Sequence, residues 1–191
     1  MDRKEFLNKF HLHQLSSNDV YHDFIAKSKV RQSAVLVALV ELNNNLQVIL
    51  TKRSEHLRHH PGQISFPGGK VEAQDRNVID TALREANEEI GISADNIEIL
   101  GQLPDYQTLT GFTISPIIAL LSEMPHYIID NNEVAHVFEV PLAHFLDQNN
   151  HIIVDIERHS RKHPVYYMPY HEHNIWGATA AILKDLCQHL R

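Results

Sequence analysis

Between Pro67-Gly68-Gly69 and Gly91 the chain encloses one amphipathic segment, whose apolar stripe must be buried against another element. Within residues 75 to 91, Val78, Ile79, Ala82, Ala86 and Ile90 recur at mostly helical spacing, and Gly91 stands where a helix would stop. The flanking sequence supplies strands. Ser33 to Leu42 is rich in Val and Leu, and a second run, Leu46 to Lys52, follows Asn43-Asn44-Asn45, a cluster suited to a hairpin turn. Further strand-like segments fall near 96 to 102, 112 to 121, 137 to 140, 151 to 156 and 164 to 168. Asn174 to Leu190, with Ile175, Ala178, Ile182 and Leu186 on one stripe, reads as a closing helix. Strands alternating irregularly with helices predict an α/β fold in which helices cover both faces of a mixed sheet.

The 191 residues suit one domain, with no repeat or Pro/Gly/Ser-rich linker to divide them. Residues 3 to 12 and 17 to 28 read as short helices, the second capped by Ser16 or Ser17, and form an N-terminal extension (1–28) on a main domain (29–191). The longest apolar run, Ala34 to Val40, has seven residues, against roughly 20 for a membrane span. The N-terminus carries charges of both signs, unlike a secretory signal, so a cytoplasmic protein is expected. The lone cysteine, Cys187, cannot close an intramolecular disulfide and reads as a small apolar residue. A formal charge of -7 argues against sequence-independent nucleic-acid binding, which depends on excess Lys and Arg. A homodimer is allowed.

Glu85, Glu88 and Glu89 follow Arg84 at i, i+3 and i+4 spacing, so three carboxylates share one helix face, near the C-terminal end where the macrodipole also disfavours anions. Something cationic should compensate. Hard, highly charged oxygen donors suit Mg²⁺ or Mn²⁺; a solvated acidic face partly neutralised by Arg84 is the bland reading.

The stretch from Gly69 to Ile92 resembles the Nudix box, the loop-helix-loop signature of Nudix hydrolases, in its glycine start and its Arg84-Glu85-x-x-Glu88-Glu89-Ile90-Gly91 core. The resemblance implies a Nudix-type α/β/α sandwich that cleaves nucleoside diphosphates linked to another moiety, using divalent metal held by Glu85, Glu88 and Glu89. One position departs. The box usually has a glutamate seven residues before the arginine, whereas here Asp75 stands in its place and the gap is eight. An extra residue turns a helix by about 100°, so the acid bracing Arg84 is Asp75 or Glu72.

Ile49-Leu50-Thr51-Lys52-Arg53-Ser54, then Arg58, Gly62 and Phe66-Pro67-Gly68-Gly69, resemble the extra motif of the coenzyme A pyrophosphatase branch of that family. Arg53 and Arg58 offer planar donor forks to phosphate oxygens, and Gly62 lets the backbone bend around a ligand. Together with Phe66, Gly68 and Gly69 they are the expected substrate-binding residues. Weaker similarities at Leu109 to Pro116, Asn132 to Leu142 and Ile175 to Thr179 extend the resemblance over roughly residues 31 to 187.

Glu133 is either an ordinary loop acid or, as the resemblance implies, a further metal ligand or base. Trp176 could touch a ligand, but core packing is the expectation. His159, His163, His171 and His173 match no zinc spacing and read as surface histidines.

The implied reaction is metal-dependent attack of water on a pyrophosphate, with Glu88, Glu89 or Glu133 taking the proton. With coenzyme A or acyl-CoA as the small-molecule substrate, the products are 3′,5′-ADP and (acyl-)4′-phosphopantetheine. A Nudix hydrolase of a dinucleoside polyphosphate, nucleotide sugar or nucleoside triphosphate, and a noncatalytic Nudix-like sensor, are the competing readings.

Overall fold

A computed structural model describes residues 1–12, 31–158 and 161–191. Chain order is α1 (Arg3–Leu12), β1 (Arg31–Leu42), β2 (Asn45–Arg53), β3 (Ile64–Ser65), β4 (Gly68–Lys70), α2 (Val78–Ile90), β5 (Ile97–Gln102), β6 (Tyr106–Gln107) and β7 (Phe112–Leu121). There follow β8 (Val134–Pro141), α3 (Leu142–Leu146), β9 (Ile152–Arg158), β10 (Arg161–Tyr167) and α4 (Ala178–His189). The expected helix over 17 to 28 lies outside the described residues, as does His159.

β1 through β8 form one sheet, and β1 is its centre: antiparallel to β2 and β4, parallel to β7. Asn43 and Asn44 both take positive φ, 51° and 59°, the geometry of a two-residue hairpin turn that Asn tolerates. β1 reads as an unbroken apolar run because both its faces are covered. Val37 and Leu39 join a core with Phe6 and Phe10 of α1, Phe145 of α3 and Leu183 and Leu186 of α4. Leu36, Ala38 and Val40 join a second core with Ala82, Ala86 and Ile90 of α2. The result is the mixed α/β sandwich expected, with helices on either face of the sheet. No helix among the described residues is long and apolar enough to cross a membrane.

Several boundaries differ from the sequence reading. α2 starts at Val78, not 75, because the Asn77 carboxamide accepts from the Ile79 and Asp80 N–H groups and fixes the helix start there. Its end follows expectation: Gly91 takes φ 74° and returns its N–H to Asn87. α4 starts at Ala178, not Asn174, because Ile175 and Trp176 pair with the chain around Met168 and Tyr167. Trp176 therefore does not pack in the core; it is 38% exposed and stacks on Tyr167 at 6.0 Å between ring centroids. β8 begins three residues early, and a register shift opposite Lys52/Arg53 pairs Lys52 with His136 but Arg53 with Val134.

Candidate active site

The site forms where α2 lies beside β4 and the end of β2. Helical spacing puts Glu85, Glu88 and Glu89 along one side of α2, with Gly68 and Gly69 of β4 opposite. The Gly68 N–H donates to Glu89 Oε2 at 3.2 Å. A Cβ on Gly69 would fall on the Glu85 carboxyl group, so absence of a side chain is what gives Glu85 its place. Gly68 has φ 156°, and a Cβ there would meet the Ala34 carbonyl and Val35 Cα.

Arg53 comes from β2, where the bulge on the neighbouring strand breaks the regular pairing. Its Nη1 lies 3.9 Å from Glu89 Oε1, and its Nε is buried with no acceptor. The Ser54 N–H donates to the Glu133 carbonyl, and the Asp130 N–H donates to the Glu89 carbonyl. These bonds strap the 130–134 segment to α2 and β2 and place the Glu133 carboxylate within electrostatic reach of Glu85 and Glu89.

Arg84 is the organiser. Its Nε and Nη2 donate to the two oxygens of Asp75, Nη2 also reaches the Lys70 carbonyl, and Nη1 donates to Glu85 and Glu88 at 2.9 Å each. The brace is thus Asp75; Glu72 instead offers its backbone, accepting from the Asp75 N–H while its own N–H returns to the Asp75 carboxylate. The Arg84 hydrogen bond holds Asp75 far below the ordinary carboxylate range. Glu89 behaves oppositely. Only 4% of its side chain is exposed, and burial, reinforced by the charges of Glu85 and Glu133, pushes its carboxyl up to about 8 against the pull of Gly68 and Arg53. Burial raises Glu85 as well.

The compensation expected for the acidic face is therefore partial. Arg84 Nη1 bridges Glu85 and Glu88, and Glu89 keeps only a loose contact with Arg53. As they stand, no three His, Cys, Asp or Glu side chains among the described residues surround a common point. The donor chemistry nonetheless fits a hard divalent cation: the candidate donors are all carboxylate oxygens, and burial raises the two sheltered ones, Glu85 and Glu89, so that added positive charge would favour both.

The other expected residues are placed as follows. Phe66 is buried and its ring belongs to the α1/α4 core. Arg58 is exposed and makes no ion pair among the described residues. Gly62, at φ 66°, sits against the Glu55 carboxylate in a loop closed by the Arg53 N–H donating to the Gln63 carbonyl. Sequence reasoning missed Asn77 as the cap that sets the phase of α2; an Asn three residues before Asp80 and next to the apolar stripe was the available signal.

A mixed α/β sandwich with a glycine strand facing a carboxylate-bearing helix braced by arginine is the arrangement that the resemblance to the Nudix box implies. The NUDIX domain family matches residues 30–181. The chain belongs to the Nudix family and is a pyrophosphohydrolase. It is 39% identical over 182 residues to the uncharacterized Nudix hydrolase NudL of Enterobacter sp. (strain 638), covering 95% of this chain and 91% of that one. The likeness to NudL of Yersinia enterocolitica is similar, 40% over 184 residues, covering 96% and 91%. Among solved structures, a MutT/nudix family protein from Enterococcus faecalis shares the fold with a TM-score of 0.54 at 20% identity, over 97% of this chain and 68% of that one.

Proposed function

We propose that this enzyme hydrolyses the pyrophosphate of coenzyme A or an acyl-CoA, releasing 3′,5′-ADP and (acyl-)4′-phosphopantetheine. The observation that carries the reading is the Arg53 guanidinium, whose ion pair among the described residues is a loose 3.9 Å approach to Glu89, beside the acids of α2 and within the segment that resembles the coenzyme A branch. A guanidinium so placed has a donor to spare for a phosphate oxygen.

Glu85, Glu88 and Glu89 would hold Mg²⁺ or Mn²⁺, which when bound offsets the charge of the diphosphate and acidifies the attacking water. Arg53 and the exposed Arg58 bind phosphate oxygens, and Gly68 and Gly69 keep that side of the cleft free of side chains. Glu133 takes the proton of the water: its carboxylate is exposed and makes no ion pair among the described residues, whereas Glu88 is engaged by Arg84 and Glu89 by Gly68. Water adds across one P–O–P bond, its hydroxyl going to one phosphorus and the bridging oxygen leaving with the other. Arg84, held by Asp75, positions Glu85 and Glu88.

A panel of coenzyme A, 3′-dephospho-coenzyme A, a dinucleoside polyphosphate, a nucleotide sugar and a nucleoside triphosphate, assayed with Mg²⁺ and Mn²⁺ and with products identified, tests the reading. Coenzyme A is expected to be the best substrate, and Glu88→Gln to remove nearly all turnover in a folded protein. Preference for another diphosphate overturns the substrate, and an active Glu88→Gln enzyme overturns the metal assignment.

A further inference from the structure

Lys52 and Arg53 are neighbours on β2, so their side chains leave opposite faces of the sheet. Arg53 goes to the acids of α2. Lys52 goes to the α4 side, where its cross-strand partner is His136. The His136 ring lies 5.3 Å from that of His173, which in turn stacks on Phe138 at 3.8 Å with the planes 15° apart. His173 is held in place by that stack and by the Tyr170/His173 backbone pair. Burial lowers its basicity first, and His136, Lys52 and His171 lower it further, against the opposing effect of Glu172. Several basic groups thus crowd one end of the sheet in a chain whose formal charge is -7.

Two carboxylates already rest on this cluster. Glu55 Oε1 is 2.9 Å from Lys52 Nζ, and Glu172 Oε1 is 3.7 Å from His173 Nε2. In both pairs the base is the sheltered partner, with Lys52 and His173 side chains 32% and 12% exposed, while the acids are 69% and 80% exposed. Surface pairs of this kind contribute little, and a solvated carboxylate gives way readily to a stronger anion. The bases are fixed and the anions are exchangeable. Lys52 and His136 lie within segments that carry the family resemblance, but neither is among the expected site residues, and His173 was expected to be a surface histidine.

We propose that Lys52, His136 and His173 form a second anion subsite, across β2 from Arg53, that takes a phosphate monoester remote from the bond being cut. This rests on the coenzyme A reading for the identity of the ligand, whose 3′-phosphate is the group so held. Because adjacent residues of one strand serve the two positions, a ligand draped over the end of β2 reaches both. Glu55 is the displaced counter-ion.

The test uses product nucleotides, so it does not depend on turnover. Calorimetric affinities for 3′,5′-ADP and 5′-AMP are compared in the wild-type protein, Lys52→Ala, a His136→Ala/His173→Ala double variant and Glu55→Gln. The wild type is expected to prefer 3′,5′-ADP by about tenfold, Lys52→Ala and the double variant to lose most of that preference, and Glu55→Gln to raise it about twofold by removing the competing carboxylate. A structural role for Lys52 would weaken both nucleotides together and would not be mirrored by Glu55→Gln. Equal wild-type affinity for the two nucleotides, or a preference that survives in Lys52→Ala, overturns the subsite. If the preference and its loss are found but coenzyme A is not hydrolysed, the subsite stands and the coenzyme A reading falls. If coenzyme A is hydrolysed without the preference, the reverse holds.

Discussion

Arg84 grips Asp75 with two parallel hydrogen bonds of 3.0 Å, one from Nε and one from Nη2, each to a separate carboxylate oxygen. The third nitrogen of the same guanidinium is thereby aimed at Glu85 and Glu88. Asp75 touches neither acid, so its effect on the reaction runs through Arg84.

Asp75→Asn removes the charge and one acceptor. With Glu85 and Glu88 as the proposed metal ligands, a group supporting them in this way typically matters 10- to 100-fold, and a loss of kcat/KM in that range is expected. Stability should respond to pH in a defined direction. The folded pKa of Asp75 lies below its unfolded value, so its contribution is complete above pH ~4 and disappears as the pH falls below that. Urea midpoints of wild type and variant should therefore differ at pH 7 and converge toward pH 2 to 3. A constant gap would contradict the ion pair.

Glu89 gives the opposite sign. Without metal its carboxyl holds a proton up to about pH 8, against a model-peptide value of 4.5. Between those values unfolding releases a proton, so stability declines as pH rises through the window. Glu89→Gln should match the wild type near pH 4.5 and exceed it at pH 8, by an amount on the order of a few kcal/mol. Urea titrations in excess chelator measure this, and equal curves at pH 8 would show that Glu89 is not charge-starved. Adding Mn²⁺ at pH 8 should recover stability in the wild type, about 2.7 kcal/mol at a hundredfold excess over Kd, and much less in Glu89→Gln.

The apolar stripe of α2 and the run in β1 were readable because burial imposes its period on the sequence. The glutamates were readable because a helix fixes which residues share a side. The eight-residue gap before Arg84 was not, since it turned on whether helix or loop takes the extra residue. Asn77 decides it: the helix begins after it, Asp75 lies in the loop, and the extra residue turns nothing. Trp176 was misplaced for a related reason, because α4 gives up its expected first turn to backbone pairing with β10. The neighbourhood of Lys52 was hidden altogether, since it depends on a cross-strand register joining residues 84 positions apart.

The role of Asn77 can be isolated. Its side chain accepts two 2.9 Å bonds, so Asn77→Ala should cost about 1 kcal/mol of stability. Asn77→Ser or Asn77→Asp should restore most of it. Failure of either to do so would mean that the helix start is set by packing rather than by the cap.

Gly68 and Gly69 are neighbours with different reasons for being glycine, and substitution separates them. A Cβ on Gly68 meets the Ala34 carbonyl and Val35 Cα at a backbone φ of 156°, and main chain cannot step aside. Gly68→Ala should therefore lower stability by 2 kcal/mol or more, at the upper end of the ~0.5–3 kcal/mol typical of single substitutions. A Cβ on Gly69 meets only the end of the Glu85 side chain, which can rotate away once its bond to Arg84 Nη1 is given up. Gly69→Ala should keep its urea midpoint close to that of the wild type while kcat/KM falls about 10- to 100-fold, because the carboxylate is displaced from the side of α2 proposed to hold metal. If Gly69→Ala instead unfolds the protein as readily as Gly68→Ala, the glycine serves the strand and not the position of Glu85.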